Sequence, residues 1–269
     1  MENLNDITIP LLLTLGAGLA TGIGSAAAFF THHTNRRLLS FSLGLSAGVM
    51  IYVSFVELLS TASQRLCVTM GERHGTAAAA GSFFLGILII GIIDRLVPEA
   101  ENPHEAHMVE ELGQSRPKNG KLMRTGLLTA MAIAVHNFPE GMATFATAVD
   151  STTLGVAIAA AIAVHNIPEG IAVSIPIYFA TGSRRKAFVY SMLSGLAEPA
   201  GALAAYALLM PVMTPTTIGC LLAAVAGIMV FISIDELLPA ARQYGEAHTS
   251  IYGVVTGMAV MAASLILLI

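Results

Sequence analysis

His136-Asn137-Phe138-Pro139-Glu140-Gly141 returns further along the chain as His165-Asn166-Ile167-Pro168-Glu169-Gly170, each copy set inside a long apolar run, Leu127 to Val149 and Thr152 to Ala180. Side chains on a helix advance by about 100° per residue, so His136 and Glu140 stand about 40° apart and Asn137 about 60° beyond Glu140, all on one arc. The second copy repeats the arc. Proline in each copy removes a backbone donor and clashes with the carbonyl four residues back, which frees the carbonyls of Val135 and Val164. A bent helix that gathers a free carbonyl, an imidazole, an amide and a carboxylate suits a cation. One copy alone reads as well as a kink with a satisfied interior histidine. Two copies inside membrane-length runs favour the cation, because ionisable groups at that depth are costly unless paired or functional.

The whole chain fits that depth. Its 269 residues are 55% hydrophobic and only 11% charged, and the mean hydropathy is +0.75, which marks an all-α integral membrane protein rather than a soluble domain. A net charge of −4 argues for no nucleic-acid partner. Cys67 and Cys220 are too few for a disulfide framework or a four-thiolate metal site, and both are expected to be unpaired. The first six residues, Met1 to Asp6, carry acids where a secretory signal carries Lys or Arg, and the apolar run that follows is too long for a signal core. It is predicted to be retained as the first spanning helix.

Stretches near the ~20 residues that cross a bilayer fall at about 8–31, 38–61, 76–97, 123–149, 152–180, 187–210, 216–239 and 250–269, which predicts eight transmembrane helices. Of the thirteen Lys and Arg, eleven lie in the connections after helices 1, 3, 5 and 7: Arg36, Arg37, Arg95, Arg116, Lys118, Lys121, Arg124, Arg184, Arg185, Lys186 and Arg242. Only Arg65 and Arg73 lie on the other side. Basic residues stay on the cytoplasmic side, so both termini are predicted outside the cytoplasm.

Pro98 to Gly120 is rich in Glu, Pro, Asn and Gly, and is predicted to be a solvated, disordered cytoplasmic loop. Its His104 and His107 lie among acids, a pattern read first as a solvated linker and only second as a weak metal collector. The chain also matches itself at long range. Ala47-Gly48-Val49-Met50-Ile51-Tyr52-Val53-Ser54-Phe55-Val56-Glu57-Leu58-Leu59 aligns with Ala226-Gly227-Ile228-Met229-Val230-Phe231-Ile232-Ser233-Ile234-Asp235-Glu236-Leu237-Leu238. The two helices would run in opposite directions, so helices 1–3 and 6–8 read as inverted repeats around helices 4 and 5, a 3+2+3 arrangement known from transporters. Glycines of helix 1 (Gly16, Gly18, Gly22, Gly24) and helix 6 (Gly195, Gly201) are read as close-packing positions, with no chemistry assigned to them.

With these eight helices, the long loop and the doubled motif, the chain resembles the ZIP (Zrt/Irt-like) family of divalent-metal transporters over essentially its whole length. The resemblance implies a paired metal site on His136, Asn137, Glu140, His165, Asn166 and Glu169. It adds a carboxylate of helix 6, matched by Glu198 in Ala197-Glu198-Pro199, and a methionine of helix 2, matched by Met50. Glu57 stands where some relatives have a small residue, and its place in the pathway is open. The activity implied is uptake of zinc, with iron, manganese, cobalt or cadmium, across the bacterial inner membrane into the cytoplasm. The metal is substrate, no prosthetic group is implied, the lipid bilayer is the surrounding partner, and the oligomeric state is open, a homodimer included.

The residue chemistry agrees. Imidazole with carboxylate suits Zn2+, Fe2+, Mn2+ and Cd2+, and the absence of thiolates argues against a trap for one soft ion. An intramembrane metal hydrolase is the competing class. It would need the His-Glu-x-x-His spacing that puts two ligands and a base on one turn, whereas each histidine here precedes its glutamate by four with proline between. A metal sensor or purely structural membrane protein is the third reading. It requires the loop histidines to outweigh the helical ones.

Overall fold

A computed structural model describes residues 5–28, 36–96, 119–209, 214–244 and 248–268. Every regular element among them is helical. In chain order they are α1 (Asn5–Ala28), α2 (36–70), α3 (Glu72–Leu96), α4 (Asn119–Asp150), α5 (Thr152–Thr181), α6 (184–209), α7 (215–244) and α8 (Thr249–Leu268). Among the described residues six stretches are long and apolar enough to cross a membrane: Ile7–Ala26, Ser40–Met70, Glu72–Arg95, Thr152–Ile171, Pro215–Arg242 and Thr249–Leu267. Outside that set fall α4, whose middle carries His136, Asn137 and Glu140, and α6, which is broken by a turn at Leu196. Most of the Pro98–Gly120 segment, His104 and His107 with it, lies outside the described residues.

Local chemistry sets the boundaries. Helix α2 runs past the expected end near residue 61 to Met70, because its polar end still favours a helix until Gly71, at φ 80°, stops it. Ser151 caps α5 by accepting from the Leu154 amide at 3.4 Å, and Gly182, at φ 63°, closes its far end. Thr214 caps α7 by accepting from the Thr217 amide at 3.1 Å, with Pro215 opening the helix. Among the described residues π-helical turns interrupt the ladders at Val53–Leu58 in α2, Ala205–Leu209 in α6 and Ser233–Leu237 in α7. Nothing in the binary pattern foretold them, since a π turn inserts one residue without proline or glycine.

The helices pack as two sets. In one, α1 lies along α5, α4 lies along α5 and α6, and α1 meets α6. In the other, α2 lies along α8 and α3, and α3 lies along α7. Between the sets, α2 and α8 touch α5, and α4 touches α7. The main apolar cluster fills this seam with Met50, Val53 and Leu58 of α2, Leu222 and Met229 of α7, and Ala157, Ile158 and Ile162 of α5. Arg65 of α2 makes an ion pair with Asp150 at the end of α4. Large apolar side chains left exposed, such as Leu12, Leu19 and Ile23 on α1 and Phe84, Leu88 and Ile92 on α3, face outward as lipid-facing positions do.

Candidate metal centre

The centre is built from the inward faces of α4 and α5, which pack side by side. Glycines let the flanking helices close on them. A side chain at Gly141 would collide with the Glu198 carbonyl of α6, and one at Gly170 with the Thr21 carbonyl of α1. Both motif glycines are therefore required by backbone approach.

His136, Asn137, Glu140, His165, Asn166, Glu169 and Glu198 are all buried, none more than 3% exposed. The imidazoles and carboxylates cross between helices. His165 Nε2 lies 3.2 Å from Glu140 Oε2, and His136 Nε2 lies 3.4 Å from Glu169 Oε1 without hydrogen-bond alignment. The amides anchor outward: Asn166 Nδ2 donates to the Ala17 carbonyl of α1 at 2.9 Å, and Asn137 Nδ2 to the Ser194 carbonyl of α6 at 3.4 Å. Asn166 also donates to Glu198, which brings the α6 carboxylate into the same centre.

Much of the donor capacity is unspent. Glu140 Oε1, both Glu169 oxygens, Glu198 Oε2, Asn137 Oδ1, Asn166 Oδ1 and His165 Nδ1 are buried without a hydrogen-bond partner. Each such group costs about 1–3 kcal/mol, and a concentration of them in one place requires a cause. Among the described residues no three or more His, Cys, Asp or Glu side chains gather tightly enough to hold a metal ion as they stand. The imidazoles instead face the carboxylates of the opposite helix. Three carboxylates and two imidazoles buried together with the amides of Asn137 and Asn166 can take up a divalent cation by exchanging these pairings for metal–ligand bonds.

The two helix 2 candidates lie on α2, which packs against α5. Met50 is fully buried in the apolar seam, and its carbonyl accepts from Ser54 Oγ at 2.7 Å. Glu57 is half-buried in the π-helical turn and accepts from Thr61 Oγ1 at 3.0 Å. Sequence reasoning missed the carbonyls of Ala17 and Ser194, because backbone acceptors carry no residue signature. The small residues of α1 and α6, read as packing alone, were the available signal. Cys67 and Cys220 are free and half-buried.

Residues 95–265 match the family described as ZIP Zinc transporter. Proteins named zinc transporter ZupT are similar along their full length: 55% identical in Clostridium perfringens (100% of this chain and 99% of the relative), 58% in Streptococcus mutans (96% and 97%) and 57% in Lysinibacillus sphaericus (98% and 99%). With its doubled motif inside the matched region and its whole length covered by these relatives, the chain belongs to the ZIP zinc transporter family.

Proposed function

We propose that the chain imports zinc into the cytoplasm, and with it iron, manganese, cobalt and cadmium as divalent ions, through a site formed by His136, Asn137, Glu140, His165, Asn166, Glu169 and Glu198. The observation that carries the reading is the crossed pairing of His165 with Glu140 and of His136 with Glu169, fully buried and ringed by unspent donors. A single charge at the bilayer centre costs about 3 kcal/mol or more, so a divalent ion leaving water needs fixed negative charge and lone pairs. Mixed nitrogen and oxygen ligation meets that need while still allowing release. Met50 and Glu57 are the residues that α2 would add to this site or to its route. The relatives are named as transporters, and the enzyme reading has no supporting spacing.

The architecture proposed is eight transmembrane helices in a 3+2+3 arrangement, with both termini outside the cytoplasm of a bacterial inner membrane. Paired contacts support the inverted repeat. Exchanging α1 with α6, α2 with α7, α3 with α8 and α4 with α5 turns the α1–α5 packing into α6–α4 and the α2–α8 packing into α7–α3, and all four are present. Gly48 approaches Val254 as Gly227 approaches Phe83, and Gly257 approaches Leu45 as Gly86 approaches Ala224. Both aligned helices carry a π turn, and Ser54 donates to Met50 O at 2.7 Å as Ser233 donates to Met229 O at 2.7 Å. Initial zinc uptake by vesicles containing the purified chain tests the function. Uptake that survives simultaneous loss of Glu140 and Glu169 would remove this site from it.

A further inference from the structure

The same exchange of helices singles out a side chain on α1 that the motif does not contain. Asn166 donates to Ala17 O and Asn137 to Ser194 O, and one turn beyond each carbonyl stand Thr21 and Glu198. Gly170 closes on the Thr21 carbonyl as Gly141 closes on the Glu198 carbonyl, and Gly18 and Gly195 face one another between them. Thr21 thus occupies on α1 the place that Glu198 occupies on α6. Glu198 meets the side chain of Asn166, and under the same exchange the residue that corresponds to Asn166 is Asn137.

Thr21 is fully buried, and its hydroxyl has no partner; neither has Asn137 Oδ1. A Cβ placed on Gly195, next to the Ser194 carbonyl that accepts from Asn137, would lie 2.7 Å from Thr21 Oγ1. Several helical hydroxyls turn back onto their own helix, as Thr14 does to Leu11 O at 2.9 Å, Ser54 to Met50 O at 2.7 Å and Thr181 to Ile177 O at 2.7 Å; Thr21, with Ser46, Thr144, Thr147 and Ser250, is buried without a partner, and among these it is Thr21 that stands at the place matching Glu198. Thr21 forgoes that bond. A buried hydroxyl left unspent costs about 1–3 kcal/mol, which calls for a partner the protein alone does not supply.

We propose that Thr21 contributes its hydroxyl to the cation site from α1, beside Asn137, as the neutral counterpart of Glu198. The site is then lopsided. Its Asn166 side ends in a carboxylate and its Asn137 side in a hydroxyl, so an ion is held by charge on one side and by neutral oxygen on the other. A second flanking carboxylate would bind the ion more tightly and release it more slowly. This inference rests on the α4–α5 site proposed above.

The test is initial uptake of zinc and of manganese across a concentration series, with the full chain in vesicles at matched protein level. Thr21→Val keeps the shape and loses the hydroxyl, and it raises KM for both ions by about threefold to tenfold, the worth of one hydrogen-bond-strength contact. Thr21→Ser recovers most of that loss. Thr21→Asp lowers both KM and the maximal rate. Should Thr21→Val fail to reach the membrane, Thr21→Ala against Thr21→Ser makes the same comparison. Wild-type KM in the variant lacking the hydroxyl, or equal impairment of it and Thr21→Ser, overturns the proposal. Glu169→Gln is measured alongside. If it transports normally, the underlying site is wrong; if it fails while Thr21→Val behaves as wild type, only the role of Thr21 is wrong.

Discussion

Glu140→Gln keeps the volume of the side chain and one of its oxygens while removing its charge. Glu140 is 1% exposed, with one carboxylate oxygen 3.2 Å from His165 Nε2 and the other unpartnered. The lost charge cannot be made up by bulk solvent. Two unit charges about 4 Å apart interact by about 4 kcal/mol at an effective dielectric constant of about 20, and a divalent ion roughly doubles that. Closer approach of Glu169 or Glu198 and retained water return part of it. A net loss of about 3 kcal/mol remains a conservative expectation, which corresponds to about a hundredfold in affinity. Zinc uptake at concentrations near the wild-type KM is therefore expected to fall by about a hundredfold in Glu140→Gln and, by the pseudo-symmetry of the two helices, in Glu169→Gln. The assay is initial uptake by vesicles containing equal amounts of purified protein, with elution behaviour on size exclusion as the check on folding. Wild-type rates in both variants, with normal elution, would refute the reasoning.

Further outcomes follow from the same geometry. His136→Ala and His165→Ala are expected to slow zinc and iron uptake more than manganese uptake, because imidazole favours the former over ions that prefer oxygen; competition between the three metals checks this. A reporter active only outside the cytoplasm, fused after Ile269, is expected to be active, and activity of a cytoplasmic reporter there instead would invert the topology. Cys67→Ser and Cys220→Ser are expected to transport as wild type, since both thiols are free, with mass spectrometry of the intact chain checking for a bridge. Replacing His104 and His107 by Ser is expected to leave maximal uptake nearly intact.

Six of the expected apolar runs were legible because lipid imposes a length and a composition, and the doubled motif stood out in the sequence because polar groups contrast with such a background. Which histidine meets which glutamate was not legible. On one helix His136 and Glu140 share an arc, yet each turns to the opposite helix, a choice set by how α4 and α5 pack. The π turns escaped notice for a related reason: Val53–Leu58 and Ser233–Leu237 carry no proline or glycine to mark an inserted residue. Met50 was matched by position alone, and it is buried in the seam between α2, α5 and α7. The expected helix 2 ended with the apolar residues, whereas helical propensity carried it on to Gly71.

The central claim is that the ion sits among the crossed imidazoles and carboxylates of α4 and α5. X-ray absorption at the zinc edge, on the purified chain loaded with one equivalent of Zn2+, tests it directly. The account predicts a first shell of nitrogen and oxygen with imidazole scattering that disappears in the His136→Ala/His165→Ala double variant. An imidazole signature that survives in that variant would contradict it.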